Sequence, residues 1–454
     1  MAADRAFARR CAALLLLLPL SRAGGADLFD IPPAQPPRVI GPEYFGTHFH
    51  RLDHAEHGFP ATSWPDGLVG ALRLWDAQTR WADLEPAPGR FDFERLDALV
   101  EQARMHGADV SLVLGSPPAW ASARPREGGP YGPGSAAEPR DLADWDRYVG
   151  AVVRRYRGRI SSYELWNEPY FSELDADRNE GNSFFTGSAA TMVELARRAR
   201  AAIAREDPQA RLFTPGFVGA TNRLDLFLDA GGAGLVDGVA YHFYAQDDAE
   251  FLRLAADVRG VMARHGLAAQ PLVNTESGFA IRGVEGQPAA VGQERIDRRR
   301  AAALLAQTLV LGAFAGIDRF YQYAWDNGRM GMLRPDGRAP TDSLPAWIAV
   351  RRWLLGTSLE GCRGFGGRGI ACTGVRGGER LFVAWQVDPG VSATFSLPAG
   401  WHAIAFERAT EAAARHGVAV PGTATLPPDG MPVAFWARAD AAARHVPVVP
   451  GSPR

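Results

Sequence analysis

Tyr163-Glu164-Leu165-Trp166-Asn167-Glu168-Pro169 is a run of apolar and aromatic residues that ends in a carboxylate and a proline. Proline disfavours helical geometry in the residue before it, so Glu168 is expected to stand extended at a strand tip. Alternation along a strand puts Glu164 on the same face as Glu168, one step deeper. Similar runs flank this one: Tyr44–His48, Ala71–Trp75 and Asp109–Gly115 before it, and Arg211–Gly216, Val236–Tyr244, Pro271–Glu276 and Asp318–Trp325 after it. Helical stretches separate them. Phe93, Leu96, Val100 and Ala103 share one helical face, closed by Gly107; Trp145, Val149, Val152 and Tyr156 do the same before Gly158. Eight such units over residues 42–355 predict an α/β fold, a (β/α)8 TIM barrel. No Gly-x-Gly-x-x-Gly follows the first strand, which argues against a dinucleotide-binding open sheet.

Past the barrel the texture changes. Short alternating runs at Gly369–Val375, Arg380–Gln386, Ala393–Leu397, His402–Glu407 and Val433–Ala437 predict a small C-terminal β-sandwich over residues 356–438. Residues 439–454 read as a disordered tail. At the other end, Arg5, Arg9 and Arg10 precede the apolar run Cys11–Leu20 and small residues up to Ala26. That is the pattern of an export signal over residues 1–26, and it implies a periplasmic or extracellular protein with no membrane anchor after cleavage. Pro-rich residues 27–41 follow as a linker or edge strand. In an exported chain, Cys362 and Cys372 should pair across a hairpin as a disulfide.

All 49 cationic residues are arginine; the chain has no lysine. Schiff-base aldolases, pyridoxal-phosphate enzymes and P-loop NTPases all need a lysine and are excluded. The net charge of −2 is spread without long basic runs, so nucleic acid is not an expected partner.

In a barrel, chemistry sits where the strands end at the C-terminal face. Two strand candidates end in a carboxylate there: the fourth at Glu168 and the seventh, Leu272-Val273-Asn274-Thr275-Glu276, at Glu276. Two carboxyl groups facing across a barrel mouth suit glycoside hydrolysis, in which one protonates the leaving oxygen and the other stays ionised to attack the sugar. Glu164, too deep to reach a substrate, is expected as a buried structural carboxylate with Arg73 of the second strand as its cation.

The segment Tyr163–Pro169 resembles the acid/base motif of clan A glycoside hydrolases. The run Trp81-Ala82-Asp83-Leu84-Glu85-Pro86, continued by Gly89-Arg90-Phe91-Asp92-Phe93, is similar to family 39 of that clan. That family includes β-xylosidases, α-L-iduronidases and endoglycosidases of bacterial exopolysaccharides. The resemblance implies a retaining hydrolase acting on an oligo- or polysaccharide without a cofactor or metal, with Glu168 as acid/base and Glu276 as nucleophile. It further implies that Asn167 binds the sugar 2-hydroxyl, that Arg73 and Tyr244 hold the nucleophile, and that His242 and Trp325 line the subsite of cleavage. The chain departs from the family in placing Ser277-Gly278, not Trp, after Glu276.

Other readings stay open at this point. Trp120 can stack on a sugar face or pack in the core. His48 and His50, at the end of the first strand, line a cleft by hydrogen bonding. With His242 and Asp326 they also suggest a metal-dependent amidohydrolase, although no lysine is present to bridge the metals and the fifth strand has no histidine. A barrel that binds glycans without cutting them is the third reading. Oligomeric state is not legible.

Overall fold

The computed structural model describes residues 38–439, apart from residue 57 and the segments 175–182, 285–293, 366–368, 388–389, 391–392, 397–400, 410–414 and 417–422. The proposed export signal and residues 440–454 of the proposed tail therefore lie outside the described residues, while Ala439 ends a strand. Of the expected linker or edge strand, only residues 38–41 are described, and Val39 makes an isolated antiparallel bridge to Ser358.

The barrel strands are β1 (Phe45–Thr47), β2 (Ala71–Leu74), β3 (Asp109–Leu114), β4 (Ser162–Leu165), β5 (Arg211–Phe213), β6 (Phe217–Val218), β7 (Val239–His242), β8 (Leu272–Ser277) and β9 (Ile317–Gln322). They form one parallel sheet in the order β5-β4-β3-β2-β1-β9-β8-β7-β6. β5 lies within the expected fifth strand, Arg211–Gly216, and β6 continues it just beyond that range. β5 pairs with β4 and β6 with β7, and a bridge between Phe213 and Gly238 closes the ring. The break falls at Pro215, which has no N–H for the ladder. In compensation Thr214 Oγ1 accepts from the Ala240 amide at 3.0 Å. The expected eight-stranded barrel is thus present, with its fifth strand interrupted.

The layer at the bottom of the interior is Ala71, Phe213, Ala240, Val273 and Tyr321. β1 makes room for it with Gly46, where a Cβ would lie 2.5 Å from the Tyr321 ring. Outside, amphipathic helices cover the strands as their spacing predicts. Helix α1 (Glu94–Met105) buries Leu96, Leu99, Val100 and Ala103, and α2 (Leu142–Arg155) buries Trp145, Tyr148, Val149, Val152 and Val153. Asp141 caps α2 by accepting from the Ala143 amide, and Arg154 and Arg155 close its last turn, each complementing the helix dipole. None of the described helices is long and apolar enough to cross a membrane.

After the helix Ser343–Leu354 a six-stranded antiparallel sheet begins at Ser358, and the short strands Ala393–Ser396 and Thr423–Leu426 pair as a separate ribbon. This β domain packs on the flank of the barrel. The helix Arg298–Phe314 is buried nearly all round, and its Gln307 donates to Gly430 O at 2.6 Å. Trp385 Nε1 donates to buried Asp248 at 2.7 Å, and Arg352 pairs with Glu407.

The strand Ser358–Phe365, which alternation did not reveal, pairs with Gly369–Arg376 and sets Cys362 opposite Cys372. The two are joined by a disulfide with Cα atoms 4.0 Å apart. Closing so short a loop should stabilise the fold by about 2–3 kcal/mol. Thiol titration of the unfolded, unreduced protein checks it: neither cysteine should react, and two free thiols would end the assignment.

Candidate active site

At the centre of the barrel mouth Arg73, fully buried on β2, organises the carboxylates. It donates from Nε and Nη2 to Glu164, each at 2.7 Å, so the carboxylate expected to be structural is bidentate with the expected cation. Nη2 also donates to Asn167 Oδ1 at 2.8 Å, and Nη1 reaches Glu276 Oε2 at 3.2 Å. One guanidinium therefore ties β2 to the tips of β4 and β8. The fifth strand passes at Gly216, where a Cβ would stand 2.3 Å from Glu164 Oε1 and 2.6 Å from His242 Nε2. Only glycine fits there.

Glu276 points inward because β8 is irregular. From Val273 in the interior layer, strict alternation would turn Thr275 inward and Glu276 outward. The pairing with β7 instead jumps from Tyr241–Asn274 to His242–Glu276. That bulge, one extra residue, re-aims the carboxylate. His48 Nε2 donates to the bulged Thr275 carbonyl at 2.9 Å, and Tyr244 OH donates to Glu276 Oε1 at 2.6 Å.

Glu168 is not extended as expected. β4 ends at Leu165, and Trp166 (φ 73°) and Glu168 (φ 38°) both take left-handed backbone, which costs a non-glycine residue roughly 1–3 kcal/mol. Pro169 does forbid the helical region, but the chain answers with a turn. In it the Glu168 amide donates to Gly216 O at 2.9 Å and the Trp166 indole to Phe184 O at 2.6 Å. The turn brings Glu168 Oε1 to 2.7 Å from His242 Nδ1. Single oxygens of Glu168 and Glu276 lie within 4.8 Å of each other.

Burial pushes both carboxyls up to about 7. What separates them is their donors. Glu276 accepts from a phenol and a guanidinium, which favour its ionised form. Among the described residues Glu168 has only the imidazole. Burial, with Arg73 nearby and partly offset by Glu276, lowers His242 to about 4, so its ring is neutral at neutral pH. Its Nε2 faces Arg73 Nη2 at 3.5 Å; arginine only donates, so Nε2 is the acceptor and Nδ1 carries the hydrogen towards Glu168.

Several residues fall elsewhere than expected. Trp120 is not with the carboxylates: it packs edge-on against Trp81, donates to Glu85 O at 3.2 Å and lies under Arg147. Its ring is partly buried, packed against the core. Trp325 is 2% exposed, with its ring beside Phe49. From the same strand end Tyr323 comes closer to the chemistry. Its ring is 5.0 Å from His48, its hydroxyl donates to Asp76 Oδ2 at 2.8 Å, and Glu276 acts on its ionisation. Tyr131, from the loop after β3, donates to the other Asp76 oxygen. Asp76, Tyr131 and Tyr323 were not singled out from the sequence. Asp76 follows Trp75 at the tip of the second strand, so a carboxylate stands there as well as on the fourth and seventh.

The amidohydrolase ligands do not converge. Asp326 accepts from the amides of His50 (2.8 Å) and Arg51 (3.0 Å) and from Thr62 (2.6 Å), and His48 is committed to Thr275 O. Glu168, His242 and Glu276 do bring three ligand atoms together, but the Arg73 guanidinium already occupies the cationic position beside them.

Several solved structures similar to this one are glycoside hydrolases. A family 39 glycoside hydrolase from the gut symbiont Bacteroides cellulosilyticus WH2 shares 18% identity over 81% of this chain and 75% of its own, with a TM-score of 0.59. A glucosidase from Croceicoccus marinus shares 17% over 90% and 98%, at 0.60, and the family 30 subfamily 8 xylanase Xyn30A from Clostridium acetobutylicum 14% over 82% and 89%, at 0.55. The fold is that of the clan A glycoside hydrolases. A family model described as beta-galactosidase, glycoside hydrolase family 42, matches residues 74–127, which run through Asp76, the Trp81–Phe93 motif and β3. No curated protein matches the sequence. In this barrel Glu168 and Glu276 stand at the tips of the fourth and seventh strands.

Proposed function

We propose that the chain is a retaining glycosidase that cleaves an oligo- or polysaccharide by double displacement, with Glu168 as acid/base and Glu276 as nucleophile. The observation that carries this reading is the close approach of the two carboxyl groups, with oxygens within 4.8 Å. Retaining pairs sit about 5–5.5 Å apart, whereas inverting pairs leave roughly 6.5–9.5 Å for a water. Glu276, held ionised by Tyr244 and Arg73, attacks the anomeric carbon while Glu168 gives its proton to the departing oxygen. The glycosyl ester removes the Glu276 charge, Glu168 stays ionised, and it then takes a proton from the incoming water. Asn167, its Oδ1 fixed by Arg73, presents its amide nitrogen to the sugar 2-hydroxyl. The disulfide supports export to an oxidising compartment. Proton NMR of the first product, before mutarotation, is expected to show the substrate's own anomeric configuration; the opposite configuration would refute the assignment.

The donors also set the pH profile. Activity needs Glu276 ionised and Glu168 protonated, so it falls as pH drops through the first group's pKa and as pH rises through the second's. With both near 7, the optimum is expected close to neutrality. Tyr244→Phe removes a bond made to ionised Glu276, so its pKa rises and the acid limb of kcat/KM moves up by about one pH unit, while the alkaline limb stays. An acid limb that stays put, or moves down, contradicts this role for Tyr244.

A further inference from the structure

Asp76 is half-buried at the barrel mouth and is not accounted for by the two-carboxylate chemistry. Each of its oxygens accepts one phenol, from Tyr131 and from Tyr323 at 2.8 Å. The phenols come from opposite sides and are themselves fixed. Tyr131 is 5.6 Å from Trp75 and 5.5 Å from Phe184, with the Arg80 guanidinium 3.9 Å above its ring. Tyr323 lies against His48 and His50, at 5.0 and 5.2 Å. Arg80 is itself paired with Asp83 at 2.9 Å. The charge of Asp76 reaches Glu168, His242 and Arg73, so it belongs to the field of the reacting groups.

A carboxylate has about four lone-pair sites, and two phenols leave the others open. Two cations act on the catalytic pair. Arg73 lies in the floor, spent on Glu164, Glu276 and Asn167; Arg223 lies 3.7 Å over the Tyr170 ring and acts on Glu168. Among the described residues Glu164, Glu276 and Asp76 stand against them, so with Glu168 protonated these groups sum to one negative charge.

We propose that Asp76, clamped between Tyr131 and Tyr323, is a specificity-determining residue: it accepts hydrogen bonds from hydroxyl or ammonium groups of the sugar and turns away sugars that carry a carboxylate. This rests on the glycosidase reading and names its substrate class, neutral or amino sugars over uronates. A uronate about 6 Å from Asp76 at an effective dielectric near 20 meets a repulsion equivalent to roughly 100-fold in kcat/KM.

The test compares kcat/KM of the full chain and of Asp76→Asn on matched aryl glycosides and soluble polysaccharides built of neutral, amino or uronic sugars. The expected result is that the native protein prefers neutral or amino sugars to uronates by about 100-fold, and that Asp76→Asn narrows this at least tenfold. Because Asp76 raises the Glu168 pKa, the variant's alkaline limb should also move to lower pH. A native preference for uronates, or an Asp76→Asn variant that lowers all classes equally, as a purely structural residue would, overturns the inference alone. No turnover of any class overturns the glycosidase reading beneath it.

Discussion

Glu276→Ala should lower kcat by roughly 10⁴-fold or more on every substrate, because no covalent intermediate can form without the attacking carboxylate. Glu168→Ala should behave differently. Proton transfer contributes about 10²–10⁴-fold where the leaving group is poor and little where it departs unaided, so the loss should shrink as aryl leaving groups become more acidic. Azide should partly restore Glu168→Ala, since it attacks the glycosyl-enzyme without a base. Steady-state kinetics over a series of aryl glycosides reads both effects. Parallel losses in the two variants across the whole series would mean that the roles are wrongly assigned.

Arg73→Met is expected to cost about 3–5 kcal/mol of stability, because it leaves Glu164 fully buried without a partner. It should also abolish turnover, since Glu276 and Asn167 lose the same guanidinium. Pairing it with Glu164→Leu separates the two effects. Replacing both members of a buried ion pair by apolar side chains is often nearly neutral, so urea unfolding of the double variant should recover most of the loss while activity stays absent. Recovery of turnover together with stability would show that Arg73 serves only the fold.

Much of this was legible in the residues. Eight strand runs could be placed because parallel strands buried on both faces are near-continuous apolar segments. Glu168, Glu276 and the Arg73–Glu164 pair followed from where those runs end and from what a buried charge demands. Local irregularity was not legible. Alternation from Val273 would aim Glu276 away from the mouth, and only the bulge at Thr275 turns it in; an extra residue leaves no mark in a hydrophobic pattern. Glu168 reaches His242 through a left-handed turn that Pro169 permits but does not dictate. Trp120 was weighed for its ring chemistry and Trp325 followed from the resemblance, yet an aromatic after a strand packs inward as readily as it lines a cleft. Tyr131 arrives from a Gly/Pro-rich loop with no period to place it. Tyr323 did carry a signal, since it is two residues beyond Tyr321 in the interior layer and so shares its direction.

The seam between the barrel flank and the β domain bears on how such a protein can change over generations. Asp248 and Trp385, Gln307 and Gly430, and Arg352 and Glu407 are each a contact between one side of that seam and the other. The helix Arg298–Phe314 beneath them has no polar face to offer water. Recombination that exchanged the β domain for an unrelated one would strand a buried carboxylate, a buried amide and an apolar helix in a single event. Exchange of either part alone is therefore expected to cost stability unless both sides of the seam change together.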